Sequence, residues 1–310
     1  MPVNVNPIMA AIVDTADTLN TAPDDYINPD DGLKYCGKCH TPKEAYFPEQ
    51  YRKNGLDKHP IDCKCAAEER ARREAEQREL ERLNRIAMLR SEAFRDIPAA
   101  GWQFENAEVM TPQLVKARRY SENWDVFRQD GTGLLLFGNV GTGKSYAAGC
   151  IANALIEKTV SVLFVGLSDV VNRMQGNFGA DRDAYLKTLM RPELLILDDL
   201  GAERNTSFGK ERVFDVVNKR LLTGKPMIVT TNIPLSVMQK TSDLDERRIY
   251  DRVLEVCVPI QFNGENFRKG ICCGKCKAGG ENSESDKLTN YYSTKGAITW
   301  IIPSARCRST

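Results

Sequence analysis

Residues 138–145 read Gly-Asn-Val-Gly-Thr-Gly-Lys-Ser, and the apolar run Leu134-Leu135-Leu136-Phe137 leads directly into them. The octet satisfies the pattern G-x-x-x-x-G-K-[ST] at every fixed position. The spacing has a mechanical reason. Gly138, Gly141 and Gly143 let the backbone turn tightly, so that the N–H groups of a loop completed by Asn139, Val140 and Thr142 face a row of phosphates. Lys144 then reaches the β and γ oxygens, and the Ser145 hydroxyl is placed for Mg2+. Residues 146–158 are apolar-rich and free of proline, so the loop is expected to open a helix whose positive end adds to the anion site. A strand before and a helix after make this stretch a nucleoside triphosphate site, not a chance match.

Composition bounds what surrounds it. A chain of 310 residues has room for one large domain and one or two small ones. The formal net charge of +1 supplies no global field for nucleic acid, so any such contact must come from a local patch. No stretch approaches the length of uninterrupted apolar residues that a membrane span needs, and the N-terminus lacks a signal-peptide pattern. A cytoplasmic protein without a membrane partner is expected. In that setting ten cysteines point to metal or to buried thiols more than to disulfides.

Five stretches follow one another. Residues 1–34 mix small, polar and acidic residues with prolines and read as a mobile leader. A cysteine module spans 35–65. A charged linker helix follows over 66–96, in which residues 66–85 hold six acids and six arginines. Glu68 with Arg72, Glu69 with Arg73, Glu74 with Arg78 and Glu81 with Arg85 stand at i,i+4 in the favourable order. Leu80, Leu83, Ala87 and Ile86 give this helix a narrow apolar stripe, suited to docking but not to building a core. Residues 97–268 alternate strand and helix signals, as in an α/β domain with a parallel sheet. Strands are expected at 160–165, 194–197, 227–230 and 256–260, and helices at 169–175, 183–190 and 208–222. Residues 269–310 return to glycine, serine and scattered charge and read as a disordered tail.

The run Leu194-Leu195-Ile196-Leu197-Asp198-Asp199-Leu200 is an apolar strand ending in two carboxylates, where an open α/β sheet places its chemistry. Asp198 is the candidate Mg2+ carboxylate opposite Ser145, and Asp199 the candidate to polarise the attacking water. The bland reading of such a pair is a helix cap with a solvated neighbour. A further strand ends in Thr230-Thr231-Asn232, whose amide or hydroxyls suit a γ-phosphate or a water; turn chemistry before Pro234 is the alternative.

Cys36-Gly-Lys-Cys39 and Cys63-Lys-Cys65 form two close pairs, a spacing that suits a closed tetrahedral site of four thiolates holding structural Zn2+. His40 and His59 are spare ligands, and exchange of one thiolate for His59 stays open. A redox dithiol is the competing reading. Cys272, Cys273, Cys276 and Cys307 form a weaker candidate for a second site, while Cys150 and Cys257 sit in apolar contexts as core thiols.

The ordered set GNVGTGKS, LLILDDLGAER, IVTTN and RRIYDRVLEVC, with the cysteine module, resembles the DnaC/DnaI-type replicative helicase loaders, a branch of the AAA+ ATPases related to the IstB-type helper ATPases of transposition. The resemblance covers about residues 35–268. It implies an α/β P-loop AAA+ three-layer sandwich that binds and slowly hydrolyses ATP. By the same resemblance residues 138–145 correspond to Walker A, Asp198 and Asp199 to Walker B, and Asn232 to the γ-phosphate sensor. Arg252 corresponds to an arginine finger acting on a neighbouring subunit, with Arg248 as runner-up, and Arg268 to the second sensor. Self-association through the ATP site is therefore implied. Walker B departs from the common pattern, since its second residue is Asp199 where many AAA+ enzymes have glutamate; Glu203 is the substitute considered. The implied partners are a replicative DNA helicase, docked through the zinc module, and single-stranded DNA. Arg118, Arg119, Arg173 and Lys187 are the basic residues considered for tracking its backbone. A transposition helper on duplex DNA and a zinc-dependent adaptor with a vestigial nucleotide site are the other readings.

Overall fold

A computed structural model describes residues 22–52, 57–95, 97–176, 180–202, 206–264 and 266–267. The chain divides into two units at residues 266 and 267, and the fold below is that of the first.

The N-terminal module is two small hairpins. Strand β1 (Tyr26–Ile27) pairs antiparallel with β2 (Lys34–Tyr35), and β3 (Glu44–Tyr46) with β4 (Lys58–Pro60). The connection in the first is an Asn-Pro-Asp-Asp-Gly turn in which Gly32, at φ 67°, donates to the Asn28 carbonyl; only glycine takes that conformation without strain. Residues 22–34 are thus part of the module and not a mobile leader. What fixes them is long-range: Asp25 is buried against Lys43 at 2.6 Å and also accepts from the Ala22 and Gly37 amides. Its burial opposes ionisation, but these donors outweigh it and hold the carboxyl below its ordinary value.

Helix α1 (Lys64–Ala93) begins inside the cysteine module, with Cys63 as its extended N-cap and Cys65 in its first turn. Its charge pairing differs from the sequence expectation. Glu69 pairs with Arg73 as expected, but Arg72 reaches Glu69 and Glu76 in place of Glu68, and Arg82 pairs with Glu79. Such exposed pairs exchange at little cost. The docking stripe also shifts: Leu80 and Leu83 are exposed, whereas Ile86, Leu89 and Ala93 are buried in the main core. That core begins within α1, upstream of residue 97.

Helices α2 (Pro112–Glu122) and α3 (Trp124–Asp130) precede strand β5 (Gly133–Gly138) and helix α4 (Lys144–Glu157). Then come β6 (Val162–Gly166), α5 (Leu167–Gly176), α6 (Ala180–Met190), β7 (Leu194–Leu200), α7 (Ser207–Leu222), β8 (Met227–Thr231), α8 (Leu235–Lys240), α9 (Leu244–Val256) and β9 (Cys257–Phe262). The strands form one parallel sheet in the order β6-β7-β8-β5-β9. The near-continuous apolar runs follow from burial on both faces. Along β5, Leu134 and Leu136 enter a core shared with α1, α2 and α4, while Leu135 and Phe137 enter a second one shared with α5, α6, α7 and α9. The result is the α/β three-layer sandwich expected from the sequence. Arg220 is fully buried within it and donates to the carbonyls of Met190, Pro192, Glu193 and Pro226. Burial pulls its pKa down to about 10.

Candidate functional site

The strand order decides which side chains meet. Because β8 lies between β5 and β7, the residues at its carboxyl end stand between the phosphate loop and the two aspartates. Lys144, 7% exposed, donates from Nζ to the Gly138 carbonyl at 2.9 Å, the Asn139 carbonyl at 2.7 Å and Asn232 Oδ1 at 2.8 Å. The other end of the same amide, Asn232 Nδ2, donates to Asp199 Oδ1 at 2.9 Å. Lysine and second acid are therefore joined through one side chain. In parallel, Ser145 Oγ donates to Asp198 Oδ1 at 2.8 Å, and Thr230 Oγ1 donates to the same oxygen at 2.7 Å.

The loop's glycines have distinct duties. Gly138 (φ 141°) and Gly141 (φ 81°) both occupy conformations closed to other residues, and both are also crowded. A Cβ on Gly138 would strike the Phe262 carbonyl of β9, and one on Gly141 the Asn266 side chain. Nothing in the spacing of Asn266 ties it to a loop 125 positions earlier; only the approach of the end of β9 to the loop does so.

The acids owe their direction to a bulge. Leu197 registers with Val229 but Leu200 with Thr231, so β7 carries one residue more than its partner across this stretch. The extra residue is absorbed at Asp199, whose φ is 63°, and whose N–H turns to Thr230 Oγ1 at 2.9 Å. Aspartate and asparagine tolerate this left-handed conformation better than other side chains. Backbone geometry thus gives a physical reason for aspartate where glutamate is common. In the sequence Thr230 is one of three polar residues that end a strand, and in the fold its hydroxyl holds both acids at once. Glu203 lies outside the described residues.

The donor set fits Mg2+. Two adjacent ligands of an octahedral ion stand about 3 Å apart, and Ser145 Oγ and Asp198 Oδ1 are 2.8 Å apart.

Arg252, on α9, pairs with Glu255 at 2.9 Å on the surface. Arg248 lies over the Phe214 ring at 4.4 Å. Neither enters the chain's own site. Arg268 lies outside the described residues, as do Cys272, Cys273, Cys276 and Cys307. The four basic residues considered for nucleic acid form no single track. Arg118 and Arg119 are on α2, against one face of the sheet, whereas Arg173 and Lys187 are on α5 and α6, against the other. Arg118 is also engaged by Glu105 and Glu122.

At the far end of α1 the sulfurs of Cys36, Cys39, Cys63 and Cys65 lie within 4.8 Å of one another. Cys36 and Cys65 are 3.6 Å apart, and Cys63 and Cys65 are 3.4 Å apart. A tetrahedral Zn2+ with thiolate bonds near 2.3 Å sets its sulfurs about 3.8 Å apart, so the set has the right size and chemistry. The tight Cys-x-Cys pair works because Cys63 is extended while Cys65 is helical, which turns both inward. The Thr41 hydroxyl, then the Cys65 amide, pull Cys39 down to about 5, and backbone amides lower Cys36. Cys65 is pushed up to about 12 by the crowding sulfurs of Cys63, Cys39 and Cys36, and burial raises Cys63. His40 turns to the Tyr26 hydroxyl and His59 packs on Phe47, so neither histidine joins the cluster. Cys150 and Cys257 are buried, and burial raises both thiols.

A glycine loop at the end of a parallel strand, with lysine, serine, two aspartates and a bridging asparagine converging on it, defines a P-loop nucleotide-binding α/β protein. More narrowly, the chain belongs to the family of IstB-like ATP binding proteins, which matches residues 62–271. It is similar to the replicative helicase loader DnaI of Bacillus subtilis, with 23% identity over 262 residues, 79% of this chain and 81% of that protein. It is similar to the replicative helicase loader DnaC of Escherichia coli, with 28% identity over 162 residues, 51% of this chain. Here the chain spans only 64% of the relative's length. A putative ATP-binding protein in an insertion sequence of Mycobacterium tuberculosis is 30% identical over 149 residues, 44% of this chain and 56% of that protein. Among solved structures, that of DnaI aligns with a TM-score of 0.47 and 23% identity over 57% of this chain and 98% of that one. That of the DnaC helicase loader aligns with a TM-score of 0.47 and 23% identity over 53% and 98%. Among the described residues no helix is long and apolar enough to cross a membrane.

Proposed function

We propose that this protein is an ATP-switched loader that delivers a ring-shaped replicative helicase to single-stranded DNA. The observation that carries the reading is the wiring of Lys144 to Asp199 through Asn232. A ligand that draws Lys144 onto phosphate oxygens must take it from Asn232, which frees the amide to meet the γ-phosphate and alters the hold on Asp199. Nucleotide state is thereby converted into a rearrangement at the end of β8. Ser145 and Asp198 would hold Mg2+, which neutralises phosphate charge, and Asp199 would accept the proton of the attacking water. Arg252, free of the chain's own site and exposed, would complete the site of a neighbouring copy, so that assembly and ATP binding reinforce each other.

The Zn2+ module supports the loader reading over the transposition helper. Four thiolates would let a segment with little apolar burial keep a defined surface, and α1 joins that surface to the ATPase core. Helicase docking is assigned to this module, and slow hydrolysis to release of the loaded partner.

The test is capture of a purified replicative helicase by the full chain with and without ATP, beside the Cys36→Ser/Cys63→Ser variant. The expected result is ATP-modulated capture by the parent and none by the variant, whose ATP turnover persists. Capture that survives both substitutions removes the module from this role. A duplex-DNA-dependent transposase interaction, with no helicase capture, would select the IstB-type reading instead.

A further inference from the structure

The two edges of the sheet are finished differently. β9, at one edge, carries the exposed Pro259, which has no N–H to offer a further strand. β6, at the other, reads Val-Leu-Phe-Val-Gly, with no proline and no charge to discourage pairing. A cavity of about 780 Å3 touches every residue from Ser161 to Gly166. Successive strand residues point to opposite faces, so a cavity reaching all of them follows the hydrogen-bonding edge.

Its walls are apolar on both sides. Leu89 and Ile97 belong to the core on one face of the sheet, and Tyr185 and Leu189 to the core on the other. A strand laid here would be covered above and below, so it must be apolar on both faces. Four arginines, Arg85, Arg95, Arg173 and Arg191, rim the groove against three carboxylates, Glu92, Asp169 and Asp181. Among the described residues none of these arginines joins an ion pair; Arg173 lies over the Tyr185 ring at 4.7 Å. The rim is set to receive carboxylates.

We propose that this groove binds an extended segment of a partner protein as a sixth strand of the sheet, through about five residues apolar on both faces with acidic residues at each end. Main-chain hydrogen bonds to β6 supply the affinity, and the arginines and apolar walls supply the selection. The proposal does not depend on which loading or transposition partner the ATPase serves.

The probe is a fluorescein-labelled peptide with a Val-Ile-Val-Leu-Val centre and two glutamates at each end, added to the full chain. Anisotropy measures affinity, and amide hydrogen exchange locates the site. Saturable binding is expected, with exchange slowed at residues 162–166. A peptide with proline at the central valine, and the Arg85→Glu/Arg191→Glu variant, should each bind roughly tenfold more weakly or worse, with ATP turnover of the variant unchanged. Absence of binding, equal binding of the proline peptide, or binding without protection at 162–166 would overturn the proposal. So would protection of these amides that rises with protein concentration and no peptide, which would assign the groove to a second copy of the chain.

Discussion

Replacing Thr230 by valine keeps the shape of the side chain and removes one hydroxyl, which makes it a sharp probe of the acid pair. That hydroxyl accepts from the Asp199 amide at 2.9 Å and donates to Asp198 Oδ1 at 2.7 Å, from a residue that is 1% exposed. Stranding the amide costs about 1–3 kcal/mol, and a hydrogen bond to a carboxylate is worth about 1.5–3 kcal/mol. Asp198 keeps its bond from Ser145 and is only half-buried, and Asp199 is exposed, so water recovers part of both terms. The expected loss is about 2–4 kcal/mol in urea unfolding of the full chain followed by circular dichroism. The bulge is also freed to relax, which moves both acids; turnover should fall roughly 100-fold, the scale of a displacement near 1 Å. Thr230→Ser, which retains the hydroxyl, should recover both quantities. A valine variant within about 0.5 kcal/mol of the parent, with turnover intact, would refute the claim that this hydroxyl holds the acid pair.

Asp199→Asn should abolish ATP hydrolysis while nucleotide binding by equilibrium dialysis stays near the parent's; undiminished turnover would move the base elsewhere. Arg252→Ala and Lys144→Ala chains should each be inactive alone and regain turnover when mixed, because one supplies an intact loop and the other an intact finger; mixtures that stay inactive would speak against action across subunits. Elemental analysis should find one zinc per chain, lost in Cys63→Ser, and a chain that folds its module without metal would exclude the structural role. Lys210 Nζ joins α7 to the start of α9 through Asp243 at 2.7 Å and Glu246 at 2.9 Å. Its hydrogen bond, followed by the Glu246 amide, lowers the Asp243 pKa. A folded-state pKa below the unfolded one gives stability that is present above the usual carboxylate range near pH 4 and is lost as pH falls through the depressed value. Lys210→Met should therefore flatten the acid limb of the stability profile and leave its neutral-pH shape unchanged.

The parts of this protein that sequence reveals are those set by local rules. Loop glycines with Lys144 and Ser145 announce themselves through spacing, and the buried strands through unbroken apolar runs. The sheet's extent was legible to within two or three residues at each strand end. Contacts fixed by strand order were not. Nothing in the linear chain shows that Asn232 bridges Lys144 and Asp199, since that follows from β8 lying between β5 and β7. The bulge at Asp199 is equally silent, because an extra residue appears only when two strands are registered against each other. Residues 22–34 looked featureless because a two-residue hairpin has no period, and the Asp25–Lys43 pair that holds it spans eighteen positions. Of the stripe residues on α1, Leu80, Leu83 and Ala87 stay exposed and Ile86 is buried, because the core meets the helix only from Ile86 onward, through Leu89 and Ala93. There, packing and not amphipathicity decided.

The central claim is that ATP at residues 138–145 gates delivery of a helicase to DNA. The most direct measurement counts helicase rings placed on circular single-stranded DNA coated with its binding protein, using the parent chain and Lys144→Ala, each with and without ATP. The account predicts loading by the parent that responds to ATP and none by the variant. Equal loading by both, or loading indifferent to ATP, would contradict it.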